Sequence, residues 1–219
     1  MYFEDQKIAQ GSSQIVVNES FSKDKFMIDN MHLNKAYTNF LKEKKISSSD
    51  EKRRVLESFK KRYHEYREFW YNVDKKISEK KLYNSLSKPH CIDIETASIC
   101  DLACPHCFRE AIMTPDKIMS EKLFKKIIDS IAKLEVPSIK LNWRGEPLLN
   151  PLIDKFILLA KTHGVIDVIM NTNATTLDEK KGEKIINAGL DQIIFSFDGG
   201  TKKTYEKMRP GRFEINNFE

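Results

Sequence analysis

The sequence predicts an α/β protein: a parallel sheet of about four successive βα units, preceded by a helical extension. Three observations carry this. From His90 onward, short stretches that alternate apolar and polar side chains are interleaved with longer ones whose apolar residues recur every three to four positions. Gly164 and Gly189 stand where the second and third of those helical patterns stop. Before His90 only helical periodicity is found. Strand–helix repetition of this kind calls for a parallel sheet with helices as right-handed crossovers. The change of pattern divides residues 1–89, the extension, from residues 90–219, the α/β part.

Taken in order, Asn30 is the expected cap of a short helix with Leu33, Ala36, Tyr37, Phe40 and Leu41 on one face. Ser47-Ser48-Ser49-Asp50 then breaks the chain and caps a longer helix. Leu56, Phe59, Tyr63, Tyr66, Trp70, Val73 and Ile77 step along it by alternating threes and fours, a heptad seam. A partner coiled coil, or a basic surface for RNA or membrane, is one reading of that seam. It is too aromatic for a well-specified dimer, and an amphipathic helix laying its stripe on the neighbouring domain is the favoured one. In the second part, Cys91-Ile92-Asp93-Ile94-Glu95 alternates as a strand does. Residues 119–134 follow as a helix capped by Ser120, 138–143 as a strand and 152–163 as a helix. A third strand at 167–173, a helix at 177–188, a fourth strand at 192–198 and a helix from 201 complete the series.

Composition narrows the function classes. With 40% hydrophobic and 32% charged residues the chain reads as globular, and its longest apolar run, 156–160, is far too short to span a bilayer. No apolar leader follows Met1, so a cytoplasmic setting with reduced thiols is expected. The net charge of +5 is uneven, with 19 Lys/Arg against 13 Asp/Glu in residues 1–90 and 18 against 19 in the rest. A scattered excess of that size is a solvated surface and not the concentrated stripe of a nucleic-acid interface.

In parallel sheets ligands sit at the carboxyl ends of the strands. Each predicted strand here ends in a polar cluster. The first is followed by Cys100, Cys104 and Cys107, the second by Arg144-Gly145-Glu146-Pro147, the third by Asn171-Thr172-Asn173, and the fourth by Ser196-Phe197-Asp198-Gly199. Three thiolates in eight residues suit an iron–sulfur cluster with one iron left open. A structural zinc would want a fourth ligand, which His106 is badly placed to supply. Cys104-Pro105-His106-Cys107 matches dithiol redox spacing but leaves Cys100 unused. An electron-transfer cluster would want a fourth cysteine, and Cys91, inside the first strand, reads as a small core residue.

The Cys-x₃-Cys-x₂-Cys spacing, with Gly145-Glu146-Pro147, Thr172-Asn173, Ser196-x-Asp198-Gly199 and Arg209 after it, resembles the radical S-adenosylmethionine (SAM) enzymes. Within them it is most similar to the branch with a C-terminal SPASM or related auxiliary-cluster domain. The resemblance implies a partial (βα) barrel, about four of whose six units lie in this chain. It also implies a 4Fe–4S cluster on Cys100, Cys104 and Cys107, with SAM chelating the open iron. One electron through the cluster would then yield a 5′-deoxyadenosyl radical that abstracts hydrogen from a peptide, protein or sugar substrate, an oxidoreductase or maturase type of reaction. Carried over residue by residue, Arg144, Gly145 and Glu146 would bind the SAM amino group largely through backbone carbonyls. Asn173 and Ser196 would contact SAM, Ser196 at its ribose or methionine part, and Arg209 would pair with its carboxylate. Flavodoxin or ferredoxin would be the electron donor. Singly, Ser196 and Asp198 also read as helix caps, and Arg209 as a cation at a helix C-terminus. The sequence departs from the family pattern at Arg144, at Ala174 where glycine is usual, and at His106 where an aromatic residue is common. Its end at Glu219 reads as a truncation, with the fourth strand an open edge. A non-catalytic iron–sulfur or zinc module is the alternative.

Overall fold

The computed structural model describes residues 24–78, 88–112 and 115–211. The chain divides into two units, Met1–Leu86 and Ser87–Glu219. Residues 1–23, the side chain of Ile77 and the segment after Gly211 lie outside the described residues.

In the first unit helical residues 24–29 and a 3₁₀ turn, Met31–Leu33, precede the helices α1 (Lys35–Glu43) and α2 (Ser49–Ser78). The turn moves the helix start, so the cap is Asn34, whose side chain accepts from the Ala36 amide at 2.7 Å, and not Asn30. Leu33 consequently falls off the apolar face and is exposed. On α2 the aromatic stripe is buried at Phe59, Tyr63 and Tyr66, whereas Trp70 is 55% exposed. Phe59 meets Tyr37 and Phe40 edge-on, with centroids 5.9 and 5.6 Å away. The Tyr63 hydroxyl donates to buried Asp24 at 3.0 Å. Cover for Phe59 and Tyr63 therefore comes from their own unit, because the turn between α1 and α2 folds one apolar face onto the other. The expected cover was the neighbouring domain.

The second unit holds β1 (Cys91–Asp93), α3 (Glu121–Lys133), β2 (Ser138–Lys140), α4 (Ile153–Thr162), β3 (Asp167–Thr172), α5 (Glu179–Ala188), β4 (Gln192–Phe195) and α6 (Lys202–Met208). The strands form one parallel sheet in the order β1-β2-β3-β4, as the βα alternation predicts. Ser120 caps α3, Asp178 caps α5 and Thr201 caps α6, each side chain accepting from an amide three residues on. Thus neither Ser196 nor Asp198 is a cap. Gly164 and Gly189 follow α4 and α5 with φ of 84° and 103°.

One core fills this unit. Ile139, Leu141, Val168 and Met170 from one face of the sheet pack with Phe124 and Ile128 of α3, Phe156 and Ile157 of α4, and Ile185 of α5. At its centre the Phe124 and Phe156 rings stack, with centroids 4.0 Å apart and planes within 2°. Alternation along the strands sends Asp93, Lys140 and Asn171 to the opposite face. The strands are shorter than their apolar patterns. At the end of β2 the Asn142 side chain accepts the Asn171 amide at 2.8 Å, taking a bond that the ladder would use. Side chains thus replace backbone pairing where the rim begins.

Candidate functional site

Cys100, Cys104 and Cys107 lie on the loop between β1 and α3, at the carboxyl end of the sheet. All are free thiols, Cys104 buried and the other two half-buried. The loop is held from two sides. Arg109, almost buried, donates through Nε to the Ser98 carbonyl at 2.7 Å and pairs with Asp116. After α6, the Pro210 carbonyl accepts the Ala103 amide at 2.8 Å, and Leu102 bridges antiparallel to Gly211. Burial pushes the Cys100 thiol up to about 11, with the Asp101 and Glu146 carboxylates adding to it and the Leu102 amide opposing. Cys104 is raised as well, by burial, against the pull of the Arg209 guanidinium. Metal binding to cysteine takes the thiolate, so loading at these sulfurs would release their protons.

Among the described residues, no three His, Cys, Asp or Glu side chains are grouped so as to hold one ion. A cubane cluster takes each thiolate on a different iron, so separated soft donors on one loop fit it. Cys91 opens β1 opposite Ser138, at the end of the sheet remote from this loop. It is half-buried, not a core residue, because it sits on the first rung of an edge strand.

Around the loop, the residues expected to grip a ligand are largely engaged with the chain itself. Arg144 donates to Glu95 from Nε at 2.8 Å and from Nη2 at 2.6 Å, and its guanidinium lies over the Trp143 ring at 4.6 Å. Gly145 is pressed against the backbone that leads into Cys100. A Cβ there would stand 2.1 Å from the Ala97 carbonyl oxygen and 2.6 Å from that of Ile99. The Glu146 amide donates to Ile99 O at 2.8 Å, while its buried carboxylate accepts from Thr172 Oγ1 at 2.6 Å and from the Asn173 and Leu148 amides at 2.8 and 3.0 Å. Burial raises its pKa, the three donors pulling the other way. Glu146 is thus a strut between the ends of β2 and β3.

Asn173 is also occupied: Nδ2 donates to Asp101 at 2.9 Å and to Cys100 Sγ at 3.7 Å, and Oδ1 accepts the Thr175 amide at 3.0 Å. Ala174 takes φ of 61° beside it, the left-handed conformation that its side chain disfavours. Ser196, half-buried just past β4, donates its amide to Thr172 O at 2.8 Å. Arg209 ends α6, with Nη2 2.5 Å from Asp198 and Nη1 4.0 Å from Cys104 Sγ. His106 reaches the same Asp198 oxygen at 3.3 Å. Sequence reading passed over Glu95, Asp101 and Arg109. Their signal was position alone: Glu95 lies just past the first strand, Asp101 within the cysteine run and Arg109 two residues after it.

The family model for the radical SAM superfamily matches residues 94–215, more than half of the chain and all of this rim. The chain belongs to the radical SAM superfamily. The cofactors of that family are a 4Fe–4S cluster and SAM. Over 125 residues the chain is 31% identical to the GTP 3′,8-cyclase of Chlorobaculum tepidum, covering 56% of this chain and 37% of that protein. It is 30% identical over 129 residues to the AdoMet-dependent heme synthase of Methanosarcina barkeri, covering 58% and 36%. Among solved structures, Streptococcus suis SuiB bound to S-adenosylmethionine shares the fold, with a TM-score of 0.51, 21% identity and coverage of 76% of this chain and 35% of that one. The chain spans a little over a third of the length of the curated relatives it matches, 37% of the first. No helix among the described residues is long and apolar enough to cross a membrane.

Proposed function

We propose that this radical SAM chain binds a 4Fe–4S cluster through Cys100, Cys104 and Cys107 and serves SAM-dependent radical hydrogen abstraction. The observation that carries the reading is the convergence of the three free thiols with Gly145, Glu146, Asn173, Ser196 and Arg209 on one rim of the sheet. When bound, the cluster and SAM supply the one-electron sulfonium cleavage that yields methionine and a 5′-deoxyadenosyl radical.

The chain's own part is to hold and insulate. Glu95 turns the Arg144 side chain aside, leaving the backbone carbonyls of residues 144–146 to meet the SAM amino group. Gly145 lets this turn lie against the cysteine loop. Ser196 is the side chain we assign to the ribose or methionine part of SAM. Arg209 has a buried Nε without a partner and offers it to the SAM carboxylate, Asp198 steering the guanidinium. The substrate is a peptide or protein side chain or a sugar, and the electron donor is of the flavodoxin or ferredoxin class. A cytoplasmic setting keeps the thiols reduced.

Anaerobic reconstitution tests this. The expected result is iron and sulfide binding, a reduced-state EPR signal that changes on adding SAM, and loss of the cluster in Cys→Ala variants at 100, 104 and 107 but not at Cys91. A preparation that takes up only zinc, or an EPR signal indifferent to SAM, would overturn the proposal.

A further inference from the structure

Asn173 enters the proposed site as a SAM contact, yet both ends of its amide are committed inside the chain. Its Oδ1 accepts the Thr175 amide at 3.0 Å, and that amide can only donate. Its Nδ2 donates to the Asp101 carboxylate at 2.9 Å. The orientation of the side-chain amide is therefore determined by its neighbours. Asp101 is held in turn by the Thr175 hydroxyl, and the Asn173 backbone by Glu146 Oε2 at 2.8 Å. So braced, the Nδ2 group also lies 3.7 Å from Cys100 Sγ, within reach of an N–H···S hydrogen bond. Cys100 receives a second donor, the Leu102 amide, at 3.5 Å.

We infer that Asn173 is a positioning and tuning residue for the cluster: its side-chain N–H donates to the Cys100 sulfur, and Asp101 holds it there. The inference rests on the proposed cluster site. Hydrogen bonds to cluster sulfurs stabilise the more electron-rich reduced state and raise the reduction potential. One electron from a low-potential reductant converts the oxidised cluster to the reduced one, and no bond in the chain breaks. Asp101 acts in the opposite sense on charge, since a carboxylate beside Cys100 opposes the added electron, so the two partners have opposite expected effects.

The measurement is an EPR-monitored dithionite titration of the reconstituted chain without SAM, paired with iron content and SAM affinity. Asn173→Leu removes the donor and is expected to lower the potential by roughly tenfold in the reduction equilibrium, ~59 mV for one electron. Asp101→Asn removes the charge and is expected to raise it. Unmoved potentials, or iron loss that merely follows a loss of thermal stability, would overturn the inference. So would weaker SAM binding by Asn173→Leu at an unchanged SAM-free potential, which would return Asn173 to direct SAM contact. If Asn173→Leu takes up no iron, Asp101→Asn decides alone. Failure of the unsubstituted chain to assemble any cluster would sink the proposed function, and this inference with it.

Discussion

Replacing Gly145 with alanine is the sharpest test of how the rim is built. The added Cβ would sit 2.1 Å from Ala97 O, 2.6 Å from Ile99 O and 2.8 Å from the Ser98 carbonyl carbon, all of them backbone atoms. Approaches under 3.0 Å are not made by real Cβ atoms, so residues 97–99 must retreat by about 1 Å, with no side chain able to yield in their place. Cys100 is the next residue, and the Glu146 amide bond to Ile99 O, now 2.8 Å, stretches in the same movement. Overpacking of this kind costs about 1–3 kcal/mol, and a lost hydrogen bond adds about 1 kcal/mol. Gly145→Ala should therefore be about 2–4 kcal/mol less stable by urea unfolding, and bind less iron per chain even where it remains folded. Wild-type stability together with wild-type iron content would refute the close-approach argument.

Three further outcomes are expected. Because the folded-state pKa of Glu146 is raised above its ordinary 4.5, the folded chain holds that proton more tightly, and its contribution is full below the unfolded pKa. Unfolding free energy of the metal-free protein should fall as pH rises through that raised value, and Glu146→Gln should flatten the slope while losing about 1–3 kcal/mol, because an amide cannot serve all three donors. Ala174→Gly should be neutral or stabilising by up to ~1 kcal/mol in thermal melts, since relief of the left-handed backbone outweighs glycine's entropy. Phe156→Ala, which empties half of the stacked pair between α3 and α4, should cost about 3–5 kcal/mol in denaturant unfolding, and a loss under about 1 kcal/mol would contradict this packing.

Much of the fold was legible because hydrophobic period reports directly on strand and helix. The apolar positions of residues 119–134 and 152–163 are those that meet over the sheet. What period cannot report is where a side chain displaces the backbone. Asn142 ends β2 early by taking the Asn171 amide, and Asn34 caps α1 because a 3₁₀ turn uses up Asn30. Both depend on local hydrogen-bond competition among polar residues, which a hydrophobic pattern leaves blank. The same holds for the aromatic stripe of α2, whose period foretold burial but not which surface would provide it.

The site divides along the same line. Residue order alone determined that three cysteines follow the first strand, that Gly-Glu-Pro follows the second, and that the parallel sheet must bring these to one edge, because strand ends in such a sheet share a rim. Tertiary structure decided what each side chain does there. Arg144, Glu146 and Asn173 read from the sequence as ligand contacts. In the fold their side chains serve the chain itself, as a turned-aside cation, a strut and a donor to Cys100, which leaves the backbone carbonyls of residues 144–146 for the proposed SAM contact. The reason is physical: a buried polar group takes the nearest complementary partner, and those partners, Glu95, Thr172 and Asp101, lie 49, 26 and 72 residues away along the chain.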